Sequence, residues 1–182
     1  MTQLSELKGT YTLDPSHSEL AFVARHAMVT KVRGTFDEYE GSATIDGENP
    51  AASTLEVHIK TASVNTRNAD RDAHLRSADF FDADQFPEIT FVGKGFDITA
   101  PDAVEVTGDL TIKGSTQSVT IPFEFNGQAK DPFGNTRVGF EGSVDVNRRD
   151  FGLTWNAALE TGGLLVSDKV RLEFDVSAIA GN

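Results

Sequence analysis

The residues of this chain best placed to do chemistry lie in Asp70–Phe91, DRDAHLRSADFFDADQFPEITF. Asp70 and His74 are four residues apart, as are Asp72 and Arg76, so on a helix each pair shares a face. A carboxylate beside an imidazole can serve general acid–base catalysis or metal ligation. Zinc would need further ligands, however, and no two of His17, His26, His58 and His74 show zincin or zinc-finger spacing. The simpler reading is a short helix locked by pairs across one turn, each contributing roughly 0.2–0.5 kcal/mol. The second half of the segment supplies Phe80, Phe81, Phe86 and Phe91, four of the chain's 13 phenylalanines. The stretch as a whole could be an active site, a metal site or a plug.

Outside it, His58 falls on the charged face of its strand and is expected in solvent. His26 is in phase with Leu20, Phe22 and Ala24 and is expected to point inward. Arg148 is in phase with Val144 and Val146. Pointing inward, its guanidinium must be paired or must face an anionic group, because an unpaired buried charge is costly. The sequence contains no nucleophile elbow, P-loop or dinucleotide-binding glycine fingerprint. No catalytic residue, metal site or cofactor is assigned.

The elements that would position these groups read as strands. Val170, Leu172, Phe174 and Val176 alternate with Arg171, Glu173, Asp175 and Ser177, the period of a strand with one buried face. Leu55, Val57 and Ile59 alternate with Glu56, His58 and Lys60. Val104, Val106, Leu110 and Ile112 share a phase, and Val119, Ile121, Phe123 and Phe125 follow a turn-like Gly114–Gln117. Further strands are expected near Ser18–Thr30, Val32–Ile45, Glu88–Ile98, Arg137–Asn147 and Leu153–Glu160. Turn signals separate them, among them Asp46-Gly47, Ala100-Pro101, Gly134-Asn135 and Gly162-Gly163. Beyond Asp70–Ser77 no helix is expected. About eight to ten strands with short connections indicate an antiparallel all-β sandwich or barrel. The length of several strands favours the barrel, which can enclose a small ligand.

With 28 acidic and 16 basic residues, the net charge is −12. Such a surface repels nucleic acid and anionic membranes, and the densest basic group, Arg67, Arg71 and Arg76, is interleaved with Asp70 and Asp72. The absence of cysteine excludes disulfides and thiolate chemistry. No apolar run approaches the roughly 20 residues of a spanning helix. The N-terminus lacks the basic start and apolar core of a signal peptide, so a cytoplasmic protein is expected.

Several segments together resemble the YceI-like family. They are DPSHSELAFVARH at Asp14–His26, VRGTF at Val32–Phe36, the stretch Ala62–Phe91, GDLTIKGSTQSVTIPF at Gly108–Phe123, NRRDFGLTWN at Asn147–Asn156, and Gly162–Val170. The resemblance implies an extended eight-stranded antiparallel lipocalin-like barrel over residues 11–179, with a short helical insert and residues 1–10 as an N-terminal extension. It also implies an apolar pore for a polyisoprenoid or other long-chain amphiphile, a non-enzymatic role in binding, sequestration or transport, and a homodimer. Combined with strand phase, it assigns the pore wall to Phe22, His26, Phe36, Val57, Phe91, Leu110, Ile112, Phe123, Phe140 and Trp155. Phe80, Phe81 and Phe86 are expected at one end, and Arg71, His74 and Arg148 at a polar head. Two alternatives stand beside this: an enzyme acting on an isoprenoid- or quinone-like substrate, and an interaction module with a filled barrel.

Overall fold

The computed structural model describes residues 2–159 and 165–181. Its strands, in chain order, are β1 (Lys8–Leu13), β2 (Glu19–His26), β3 (Thr30–Phe36), β4 (Tyr39–Asp46), β5 (Thr54–Lys60), β6 (Val64–Asn65), β7 (Glu88–Ala100), β8 (Ala103–Ile112), β9 (Ser115–Lys130), β10 (Thr136–Asn147) and β11 (Lys169–Ala180). Among the described residues, a single α-helix, α1 (Ala69–Arg76), lies between β6 and β7. Eight strands close an antiparallel barrel in the order β1-β4-β5-β7-β8-β9-β10-β11, with β11 returning to β1. Closure is possible because β11 divides one edge between two partners: Arg171–Asp175 pair with β2, and Ala178–Ala180 pair with β1. From β2 the sheet continues through β3 to the two-residue β6, which leads into α1. The helix therefore sits at the end of the barrel where β5, β8 and β10 finish.

Several details differ from the sequence reading. Val32–Ile45 is two strands. The chain breaks at Asp37-Glu38, where Asp37 N–H donates to Ser63 and Glu38 C=O accepts from Lys60, so the backbone leaves β2 to pair with β5. The β8–β9 turn is tighter than Gly114–Gln117. Lys113 (φ 51°) and Gly114 (φ 74°) form its two central residues, the left-handed pair that suits strand twist. Over 153–159 the chain forms no named strand, because the Leu153 and Trp155 carbonyls accept from Arg148 rather than from a neighbouring strand. Glu160 and the expected Gly162-Gly163 turn lie outside the described residues.

At the opposite end, Arg137 ties three parts of the chain together. Its Nη1 donates to Asp14 at 2.7 Å and its Nε to Asp131 in the β9–β10 connection at 2.7 Å. The bond from Arg137, followed by one from Ser16, holds the Asp14 carboxyl well below the usual carboxylate range. A carboxyl depressed in the folded state contributes stability above its unfolded pKa of about 3.9, and that contribution is lost as pH falls through the folded value. The melting temperature should therefore drop as pH is lowered from about 4, and Asp14→Asn should drop less steeply. Thermal unfolding of both proteins across this range tests the claim; parallel pH profiles would count against it.

Candidate functional site

The barrel is hollow. A cavity of about 320 Å³ runs along it, from Leu4, Gly47 and Pro50 at one end to Leu75, Phe80 and Phe81 under α1 at the other. The inward residues of β11 show it directly: Val170, Leu172, Phe174 and Val176 face the lumen yet are only half-buried. A core filled by its own side chains would have covered them. Among the described residues, Ser42, Asp46, Ser53 and Arg148 are the wall's few polar contributors apart from the Tyr11 ring, and the others are aliphatic, aromatic or glycine.

A phenylalanine-rich barrel could easily choke on its own rings. Here three rings lie over glycines of neighbouring strands: Phe22 over Gly34, Phe91 over Gly108 and Phe123 over Gly142. A Cβ at Gly34 would stand 2.3 Å from Phe22 Cζ, and one at Gly142 would stand 2.7 Å from Phe123 Cδ1. The glycines thus act as notches that let the rings lie along the wall. The Phe22 ring is also packed by Phe36 and Phe81, with centroids 5.7 and 6.5 Å away. Gly34→Ala should consequently cost about 1–3 kcal/mol through overpacking, measurable by thermal denaturation. A variant as stable as the parent would mean that the ring moves freely.

Arginines aside, the structure divides the sequence-assigned residues into three groups. Phe22, Phe36, Val57, Phe91, Leu110, Ile112, Phe123 and Phe140 line the lumen, with Phe80 and Phe81 at its helical end. A second group forms the outside of that end. The His74 ring stands edge-on to Trp155 and Phe80, with centroids 4.6 and 5.0 Å away, and Trp155 is not part of the lumen wall. Phe86 packs on Gly114 at the β8–β9 turn instead. The third departs from the expectation of an inward imidazole: His26 keeps the phase of Phe22 but is exposed. Its strand outruns the rim there, pairing with Val166 before the left-handed Ala27-Met28 turn. His58 lies on the outer wall between Glu56 and Glu88, whose hydrogen bonds raise its pKa.

The charged groups are occupied by the protein itself. The expected pairs Asp70–His74 and Asp72–Arg76 do not form. Buried Asp72 instead accepts from Thr66 N–H at 2.8 Å and Thr66 Oγ1 at 2.6 Å. Arg71 donates to Thr66 Oγ1 and to its carbonyl, both at 2.7 Å, which fastens α1 to the end of β6. His74 Nε2 bonds Asp79 at 2.9 Å. Arg148 does reach the lumen wall, but its donors serve backbone carbonyls of Leu153, Trp155, Val166 and Ser167. Burial lowers its pKa, while Asp168 nearby opposes the shift. Among the described residues, no group of three His, Asp or Glu is placed to hold a metal ion, and no helix is long and apolar enough to cross a membrane.

Sequence reasoning missed Leu4, Leu75 and Leu153 as wall residues. For Leu4 a signal exists: Leu4 and Leu7, three apart in a polar stretch, mark one face of a helical turn.

Comparison with known proteins gives a consistent answer. The chain is 41% identical over 166 residues to a UPF0312 protein of Staphylococcus aureus, covering 90% of this chain and 93% of that one. It is 32% identical to the Campylobacter jejuni YCEI protein, with a TM-score of 0.74 and coverage of 87% and 90%. Two more distant structures share the fold. They are Burkholderia cenocepacia BcnA (24% identity, TM-score 0.79, coverage 91% and 98%) and a polyisoprenoid binding domain from Saccharophagus degradans (19%, TM-score 0.73, coverage 94% and 98%). The family model described as YceI-like domain matches residues 11–178, and the chain belongs to the YceI-like family.

Proposed function

We propose that this protein is a non-enzymatic binder and carrier of a polyisoprenoid or similar long-chain amphiphile, with the apolar tail held in the lumen. The observation that carries this reading is the continuous apolar cavity along the barrel axis. Each methylene buried there contributes roughly 0.8 kcal/mol before entropic costs, so a long tail needs few polar contacts. The polyisoprenoid-binding Saccharophagus degradans relative supports the choice of ligand class. Because Arg71, His74 and Arg148 are engaged by the protein, selectivity rests on the tail rather than on a dedicated head-group clamp.

The test is solvent extraction of protein purified without detergent, followed by mass spectrometry, together with titration by a fluorescent isoprenoid. A long-chain isoprenoid in the extract, or saturable uptake of the probe, is the expected result. An empty protein that also ignores the probe would overturn the reading.

A further inference from the structure

At the end of the lumen away from α1, the wall includes Leu4, carried by the turn that precedes β1. Leu4–Glu6 form one 3₁₀ turn, in which Gln3 N–H donates to the Glu6 carboxylate and Leu7 N–H donates to Leu4 C=O. Two hydrogen bonds fasten this turn to the barrel rim. Leu4 N–H donates to Pro101 C=O in the β7–β8 connection at 3.1 Å, and Gly47 N–H after β4 donates to Leu7 C=O at 2.8 Å. Gly47 is shaped to receive it, since a Cβ there would stand 2.1 Å from the Leu4 carbonyl oxygen and 2.7 Å from the Ser5 carbonyl carbon.

Leu4 and Leu7 are equally hidden from solvent, at 3% and 2% exposure. Only Leu4 forms part of the lumen wall. The turn also lies before residue 11, where the match to the family begins.

We propose that Leu4 is the floor of the ligand pocket and sets the longest apolar tail the lumen accepts. This rests on the reading of the lumen as a tail pocket. Leu4→Ala deepens the pocket by three carbons. Gly47→Ala leaves Leu4 in the sequence but drives its backbone off the rim, and so reaches the same end from a different position. Leu7→Ala is the control: it removes as much buried side chain from the same turn without touching the lumen.

The test is competition. Each protein is loaded with an equimolar ladder of linear isoprenols of three, four, six and nine isoprene units, and the retained alcohols are quantified by mass spectrometry. Thermal unfolding is recorded alongside. Leu4→Ala and Gly47→Ala should raise the ratio of longer to shorter alcohols about tenfold, equivalent to burying roughly two more methylenes. Leu7→Ala should be destabilised like Leu4→Ala yet keep the parental ratio. Unchanged ratios in both lumen-end variants, or an equal shift in Leu7→Ala, would overturn the role of Leu4 and leave the tail pocket standing. A parent protein that retains no alcohol of any length would remove the tail pocket and the proposal together.

Discussion

Arg148→Met should cost about 3–5 kcal/mol of folding stability, the low end of what three main-chain carbonyls left without their donor cost together at about 1–3 kcal/mol each. For a chain of this size that lowers the melting temperature on the order of 10 °C. The Arg148 side chain is 6% exposed, and its guanidinium ties together two pieces of chain, 153–155 and 166–168. Its Nε donates to Ser167 C=O at 2.9 Å, and its Nη1 to Leu153 and Trp155 C=O at 2.5 and 2.9 Å. Nη2 reaches Val166 C=O at 3.4 Å and stands 3.6 Å from the Asp168 carboxylate. Methionine fills much of the volume but leaves the Leu153, Trp155 and Ser167 carbonyls without that donor, whereas Val166 C=O keeps the Asn156 amide at 2.8 Å; each buried orphan costs about 1–3 kcal/mol.

Arg148→Lys separates charge from geometry. An ammonium has three donors on one nitrogen and lacks the planar fork that reaches both sides of the site, so the lysine variant should fall between parent and methionine. Urea and thermal unfolding of the three proteins give the comparison. A methionine variant as stable as the parent would show that those carbonyls find water or new partners at no cost.

Arg148 also shows where sequence reading succeeds and where it stops. Strand phase pointed it inward, and it is inward. Its partners are main-chain carbonyls, some of them 18 and 19 residues further along, and backbone acceptors leave no mark on residue types. The alternations on β5, β8 and β11 translated directly into lumen and outer face, because period two is a property of the backbone itself. Phase failed at His26 because alternation fixes a direction but not whether a wall is still there to face. In α1, tertiary partners defeated the local rule. Thr66 captured Asp72 in a buried bond, and Asp79, just past the helix, captured His74. In the sequence, Gly34, Gly108 and Gly142 read as places where a strand bends or something approaches closely; that the approaching group is a ring depends on which residue lies on the adjoining strand. The turn at Leu4–Glu6 leaves a single mark, the Leu4/Leu7 spacing, which does not say what that face packs against.

Ala43→Phe should abolish uptake of a long isoprenoid while leaving thermal stability unchanged or slightly raised. Ala43 lies on β4 between Tyr11 on β1 and Leu55 on β5. It faces the lumen and is only half-buried because cavity, not protein, lies over it. A ring built there enters space that is already empty, so no packing is removed, and in a cavity of about 320 Å³ it occupies a large share. Phenylalanine is the better probe than tryptophan, whose indole N–H would meet a wall almost without acceptors. A tail stopped at Ala43 cannot pass on towards Leu4. Losing about five buried methylenes at roughly 0.8 kcal/mol each weakens binding on the order of 1,000-fold. Thr44→Phe, one residue along and facing outward, should bind like the parent. Both variants can be titrated with the same fluorescent isoprenoid and melted in parallel. Full binding by a folded Ala43→Phe protein would mean that the tail does not run along the barrel axis, and the carrier reading would have to find its ligand a different surface.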